Sequence, residues 1–339
     1  MSDDSSSKEW AKLEDAPYIP NLRFRHFRGE SDYPHMVAVT EGMRQVDQLE
    51  LTISVDDVAR EFKHLENCDP YRDFLLAEVN GKIIGYTRVW WSKDPSGIYL
   101  YNHSVDLLPE WREKGIRNAM LRYNEQKLRE LAREHPTGVP RLFQSVVMES
   151  ERDWIAVLSG EGYKIFRYGF KMVRPNLEEV PDLPFPDEIE VRPVKPEHYR
   201  AIIRAWNDAC KDMRGQIPIS DEDFKGFQES PIFEPSIWQI AWQKNEVVGT
   251  VLNFIDKQEN AQYERKRGHV ELISVKRLWR GKGIAKAMIA RSLKILKDHG
   301  MTEAALGVDA ENPSGALHLY QKMGFQIEKR AAFYRKPMN

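Results

Sequence analysis

Arg280-Gly281-Lys282-Gly283-Ile284-Ala285-Lys286 gathers cations and two glycines ahead of an amphipathic run. A helix that begins near Gly283 leaves its first backbone N–H groups without partners inside the helix. Its dipole adds partial positive charge at the same end. Glycine lets a ligand approach the backbone with no Cβ in the way. A phosphate or pyrophosphate suits such a seat. The stretch is not a Walker loop, which needs Gly-x-x-x-x-Gly-Lys-Ser/Thr. A dinucleotide fingerprint is also a poor match, because Lys286 stands where the third glycine belongs. Two glycines alone fit equally well a helix start that only needs a tight turn.

The elements around this seat follow from hydrophobic periodicity and turn residues. In the second half the pattern predicts strands over 189–194, 236–243, 246–255, 268–275, 303–309 and 325–337. It predicts helices over 197–211, 220–228, 283–299 and 314–323. The charged stretch DKQENAQYERKRG, near 256–267, reads as a mobile surface hairpin, with a lid as the alternative. The first half repeats this order, with strands at 22–27, 71–79, 82–91, 98–107, 141–148 and 163–173. Its helices fall within 32–66 and at 115–134 and 151–160. Mixed hairpin and crossover connections make the chain α+β around a mixed sheet. NGKIIGYTRVWW echoes KNEVVGTVLNF, and VDLLPEWREKGIRNAML echoes ISVKRLWRGKGIAKAMI, at a near-constant offset. A period this long marks a duplicated domain, not a solenoid.

Composition narrows the function classes. The chain has 339 residues, a net charge of -2 and 41% hydrophobic residues, so no bulk charge draws it to nucleic acid or membrane. Its apolar runs are too short to span a bilayer. The polar start gives no leader signature, and a cytoplasmic location is expected. Cys68 and Cys210 form no metal or redox spacing. Residues 1–17 read as a mobile tail and 18–174 as the first domain. Residues 175–188 read as a Pro-rich acidic linker, and 189–339 as the second domain. The aromatic residues Trp90, Trp91, Tyr99, Tyr101, Tyr163, Trp206, Trp238 and Trp242 read as core, or else as the wall of an acceptor pocket.

Arg280-x-x-Gly283-x-Ala285 after a strand ending in Val275 resembles motif A of the GNAT acyltransferases. NPSGALHLYQKMGF (312–325) resembles their next motif. The tandem layout is similar to that of mycothiol synthases. The resemblance implies two GNAT-like domains, each a mixed, mostly antiparallel twisted sheet flanked by helices, with the second one catalytic. It implies acetyl transfer from acetyl-CoA to a primary amine, small-molecule or peptide, with no metal and no covalent enzyme intermediate. The backbone from Arg280 through Gly281, Lys282, Gly283 and Ile284 to Ala285 would hold the CoA pyrophosphate. The strand edge at Ile273, Ser274 and Val275 would pair with the pantetheine arm, which requires the sheet to splay there. Asn312 would face that arm, and Tyr320 would protonate the leaving thiolate. Leu317, Tyr320 and Met323 also share a helix face, a spacing common in cores.

Mycothiol synthases carry a Glu where this chain has His269. Glu271 could take the base role, or His269 itself, since its charge changes near neutrality. The plainer readings are a solvated rim carboxylate and a strand-edge histidine. His269, Glu271, Ile273 and Val275 share a face if no bulge intervenes. The first half departs further from the motif. Glu113 replaces Gly281, Arg117 replaces Ala285, Leu158 replaces Tyr320 and Ser150 replaces Asn312. It is therefore expected to have little or no transferase activity. An inert acyl-CoA sensor or scaffold and a transferase for another acyl-CoA are the alternatives, and a homodimer stays open.

Overall fold

A computed structural model describes residues 10–211, 216–312 and 314–338. The chain forms two compact units that divide at Phe166/Arg167 and again at Arg330/Ala331, so the final residues belong with the first unit. The first unit contains β1 (Trp10–Ala11), β2 (Leu22–His26), α1 (Tyr33–Arg44), α2 (Val55–Lys63) and α3 (Pro70–Asp73). It continues with β3 (Phe74–Val79), β4 (Lys82–Lys93), β5 (Tyr99–Leu107), α4 (Ile116–Ala132), β6 (Arg141–Met148) and α5 (Arg152–Gly160). Strand β7 spans Lys164–Arg174. The second unit holds β8 (Glu190–Val191), α6 (Tyr199–Cys210), α7 (Asp221–Gln228), β9 (Gln239–Gln243), β10 (Glu246–Phe254) and α8 (Lys257–Gln262). It ends with β11 (Arg267–Val275), α9 (Ile284–Asp298), β12 (Glu303–Asp309), α10 (Ala316–Lys322) and the start of β13 (Gln326–Pro337), whose residues from Ala331 belong to the first unit.

Both units are mixed sheets with helices packed on them. In the first, β5 and β6 run parallel and the other neighbours antiparallel. In the second, β11 and β12 run parallel, whereas β12–β7, β11–β10, β10–β9 and β9–β8 are antiparallel. The sequence-based boundaries for most strands and helices hold to within a few residues.

Three expectations need correction. Residues 167–174, assigned to the first half, belong to the second unit. The reason is pairing: Gly169–Arg174 align with Ala304–Asp309 of β12, and Met172 is fully buried there. Conversely, Ala331–Pro337 align with β6 in the first unit, where Ala332 and Tyr334 enter the core. The tail is not loose from Trp10 onward, because β1 pairs with β2 and Leu13 is buried; residues 1–9 lie outside the described residues. The acidic segment 175–188 is a packed strap. Leu177 is 2% exposed, and Val180, Leu183 and Phe185 pack against the second core. Its acids meet lysines of α9, with Glu178 on Lys297 and Asp182 on Lys294.

Helix α9 carries the seat. Ile284, Ala287, Met288 and Leu293 recur at helical spacing and are buried on the sheet. The helix lies close because glycine faces it: a Cβ on Gly249 would stand 2.7 Å from Met288 Cε, and one on Gly268 2.5 Å from Leu296. The charged stretch near 256–267 is not a bare hairpin. Asp256 caps α8 by accepting from Glu259 N, and the Asn260 side chain exchanges two hydrogen bonds with the Arg267 backbone.

Candidate active site

The site is built on β11. This strand pairs with β12 only at Arg267, Gly268 and His269. Beyond that point β12 stays with β7 as far as Asp309. The edge of β11 from Val270 onward therefore parts from β12, the splay that an added extended ligand needs. A bulge accompanies the splay: Thr250 pairs with Ser274, but Leu252 pairs with Glu271, so β11 carries one extra residue. Leu272 takes it up with φ +47°, a left-handed conformation uncommon for a leucine. Thr250 Oγ1 donates to the Leu272 carbonyl at 2.8 Å, and the Ser274 hydroxyl lies 2.8 Å from the same oxygen. With its proton so used, Thr250 accepts from Ser274, and the bulge is held from both sides.

The bulge corrects the face assignment. His269, Glu271 and Ser274 pair with Phe254, Leu252 and Thr250, alternate residues of β10, and so share one face. Val275 pairs with Gly249 on the other face, so Glu271 and Val275 do not share one as strict alternation would require.

A cavity of about 440 Å³ opens along this edge. Ile273, Ser274 and Val275 line one side of it. Arg280, Gly281, Gly283, Ile284 and Ala285 line the end at α9, and Asn312 and Tyr320 the far side. Gly281 (φ +77°) and Gly283 (φ +83°) are both left-handed, and a Cβ on either would meet nothing within 4 Å. These glycines are needed for backbone conformation, and they leave the mouth of α9 open. The charges are used differently from the sequence reading. Arg280 Nε donates to the Val275 carbonyl and its Nη2 to the Ala209 carbonyl, tying β11 to the end of α6. Lys282 does not line the cavity; its Nζ sits 4.4 Å above the Trp279 ring. Lys286 does line it.

Asn312 has its side-chain oxygen engaged by the Ser314 N–H and hydroxyl, which leaves its amide nitrogen to donate. Tyr320 is 5% exposed, its ring edge-on to Phe325 at 6.3 Å. Burial raises its pKa, and the nearby Glu271 and Cys210 add to the effect, so the phenol keeps its proton. Cys210 also lines the cavity, and burial pushes its thiol up to about 12. It is a thiol, not a thiolate, at neutral pH.

A second cavity, about 290 Å³, begins where the first ends on β11: Glu271 and Leu272 line it. Its walls are Phe224 and Phe227 of α7 and Phe254 of β10. Burial pushes the Glu271 carboxyl up to about 7, against the Gly307 N–H and Lys171, which favour the charged form. That N–H donates to Oε1 at 3.0 Å. His269 lines neither cavity. Its ring stacks on Phe254 at 4.5 Å, and its Nε2 lies 3.3 Å from Glu259. Burial opposes ionisation of Glu259, yet His269, Lys171 and Arg265 hold its carboxyl down to about 2. The three phenylalanines were not singled out from sequence. Trp206, Trp238 and Trp242, the aromatic-wall candidates of this half, are buried.

The matching place in the first unit is filled. Arg112 Nε donates to Leu107 O as Arg280 does to Val275 O, but its guanidinium also pairs with buried Asp47. Arg117 is 3% exposed, paired with Asp153 and set over the Trp154 ring. Pro17 lies 3.8 Å from where a Gly115 Cβ would be, so the N-terminal segment covers this helix start. Leu158 is fully buried. Among the described residues no group of His, Cys, Asp or Glu is arranged to hold a metal, and no helix is long and apolar enough to cross a membrane.

A splayed strand, a bulge and an open helix mouth define the class. The sequence matches the Acetyltransferase (GNAT) family over residues 41–152 and again over 200–325. The chain belongs to the GNAT family, as a tandem member and an acyltransferase. It is 25% identical over 273 residues to a mycothiol acetyltransferase of Streptomyces bingchenggensis, covering 77% of this chain and 80% of that one. It is 30% identical over 100 residues to the N-alpha-acetyltransferase MAK3 of Arabidopsis thaliana, covering 30% of this chain and 50% of that one. A match to the mycothiol acetyltransferase of Thermobispora bispora, 28% identical, covers 52% of this chain and 60% of that one. The chain thus spans little more than half the length of some curated relatives it matches. A GCN5-related N-acetyltransferase of Sphaerobacter thermophilus shares the fold, with TM-score 0.72, 22% identity and coverage of 95% of this chain and 98% of that one. A tandem GNAT protein of clavulanic acid biosynthesis does so at TM-score 0.67 and 14% identity, covering 94% and 99%.

Proposed function

We propose that the second unit transfers an acetyl group from acetyl-CoA to a primary amine by direct attack. The observation that carries this reading is the cavity that joins the unpaired edge Ile273–Val275 to the mouth of α9. The open amides from Gly281 to Ala285 suit a pyrophosphate, and the strand edge suits an extended pantetheine arm. Acetyl-CoA supplies the activated acyl group.

Glu271, more basic than an ordinary carboxylate, takes the proton of the incoming ammonium. The neutral nitrogen then attacks the acyl carbon, and a C–N bond forms. A backbone N–H near Val275 polarises the acyl oxygen. As the C–S bond breaks, Tyr320 gives its proton to the thiolate, and the nitrogen's surplus proton restores the phenol. Glu271 returns its proton to solvent. The thiol form of Cys210 fits direct attack better than an acyl-enzyme. His269 holds Glu259 and the wall at Phe254, and it is not the base. The first unit, with Arg117 in its seat, supports no transfer.

The test is acetyl-CoA turnover by the full chain with a panel of amines, followed by free-thiol release and product mass. The reading expects thiol release only with an amine present and a product heavier by one acetyl group. Tight acetyl-CoA binding with no turnover on any amine would instead indicate a sensor.

A further inference from the structure

The class of amine can be read from the second cavity, and this inference rests on the acetyl-transfer reading above. Consecutive residues of β11 line the two cavities, with Glu271 and Leu272 in one and Ile273 to Val275 in the other. Ile203 and Cys210 of α6 repeat the arrangement. Two turns apart on one face, Ile203 lines the second cavity and Cys210 the first. A molecule in the second cavity therefore presents one end at Glu271, where the acyl group would arrive.

The walls set its chemistry. Among the described residues, every lining residue apart from Glu271 and Asp223 is apolar. Asp223 is exposed, and its Oδ2 accepts from Ser220 N in the cap of α7. Glu271, half-buried on β11, is thus the lining carboxylate that is not held in a helix cap. Sugar hydroxyls or peptide groups would find few partners on such walls and would lose their hydrogen bonds to water. An aryl or branched alkyl body would bury its surface against Phe224, Phe227 and Phe254. The cavity, about 290 Å³, suits a compact body.

We infer that the acceptor is a compact primary amine on an apolar, aromatic or branched-alkyl body. Its ammonium meets Glu271 and its body fills the space between α7 and β10.

The experiment measures kcat/KM for the full chain at saturating acetyl-CoA. Phenethylamine and isoamylamine are compared with glucosamine, spermidine and a tetrapeptide with a free N-terminus. The expected result is at least a tenfold preference for the apolar amines. Phe224→Ala should raise the phenethylamine KM fivefold or more while the acetyl-CoA Kd stays the same. Ile219→Trp, which fills the cavity, should raise the KM for phenethylamine more than for methylamine, a size dependence that misfolding would not give. Equal or faster turnover of glucosamine or the peptide overturns the acceptor class and leaves acetyl transfer standing. Acetyl-CoA binding without turnover of any amine overturns both.

Discussion

In the proposed reaction, Glu271 and Tyr320 divide the proton chemistry by environment. Desolvation raises the pKa of both, which would make the carboxylate a usable base near neutrality and keep the phenol as an acid. As a base, Glu271 acts only when deprotonated, so activity should rise with pH through about 7. Glu271→Gln should lose that limb and most of its turnover in a pH–rate profile. The same shift predicts a stability effect. The native state holds the Glu271 proton up to about 7, whereas the unfolded chain releases it near 4.5, so this group lowers stability as pH rises across that window. Glu271→Gln should therefore raise the melting temperature at pH 8 more than at pH 4.5, a calorimetric reading independent of catalysis. Tyr320→Phe should lower kcat at least about tenfold, within the range of general acid loss, with little change in acetyl-CoA binding by titration. The motif made Tyr320 legible in the sequence. The contact between His269 and Glu259 was not, because Glu259 lies on a short helix hidden in a charged stretch that read as a loop.

At the scale of elements, the seat and the bulge have different sequence signatures. Gly281 and Gly283 announce themselves, since left-handed backbone selects glycine. Gly283→Ala should cost about 1–2 kcal/mol of stability from the left-handed conformation alone. It should also weaken acetyl-CoA binding, as differential scanning calorimetry and titration would show. The bulge is silent because Leu272 has no turn signature. Its left-handed φ is held by Thr250 and Ser274 from a pattern that reads as an unbroken strand. Thr250→Val should leave the Leu272 carbonyl and Ser274 hydroxyl unpartnered, costing about 1–3 kcal/mol. It should also reduce kcat by loosening Glu271.

For the whole molecule, the repeat was visible as echoed strings, but the division of strands was not. Strand pairing assigns residues 167–174 and 331–337 to units opposite their halves of the sequence. No local pattern reports a strand's partner, because both terminal strands carry similar alternation. A chain ending at Arg330 should lose one of the two partners of β6 and the part of the first core that Ala332 and Tyr334 supply. Its first unit should then unfold at lower temperature, and hydrogen exchange of β6 would check this. The degeneration of the first seat was readable residue by residue from Glu113 and Arg117. The cover supplied by Pro17 was not, because a polar N-terminal segment gives no sign of where it lies.

The most direct measurement is a calorimetric titration of acetyl-CoA into the full chain and into Gly281→Glu. That substitution copies Glu113, which already occupies the same left-handed position in the first unit. The account predicts one acetyl-CoA per chain and loss of binding in Gly281→Glu with the fold intact. No binding at millimolar acetyl-CoA, or binding that Gly281→Glu leaves unchanged, would contradict it.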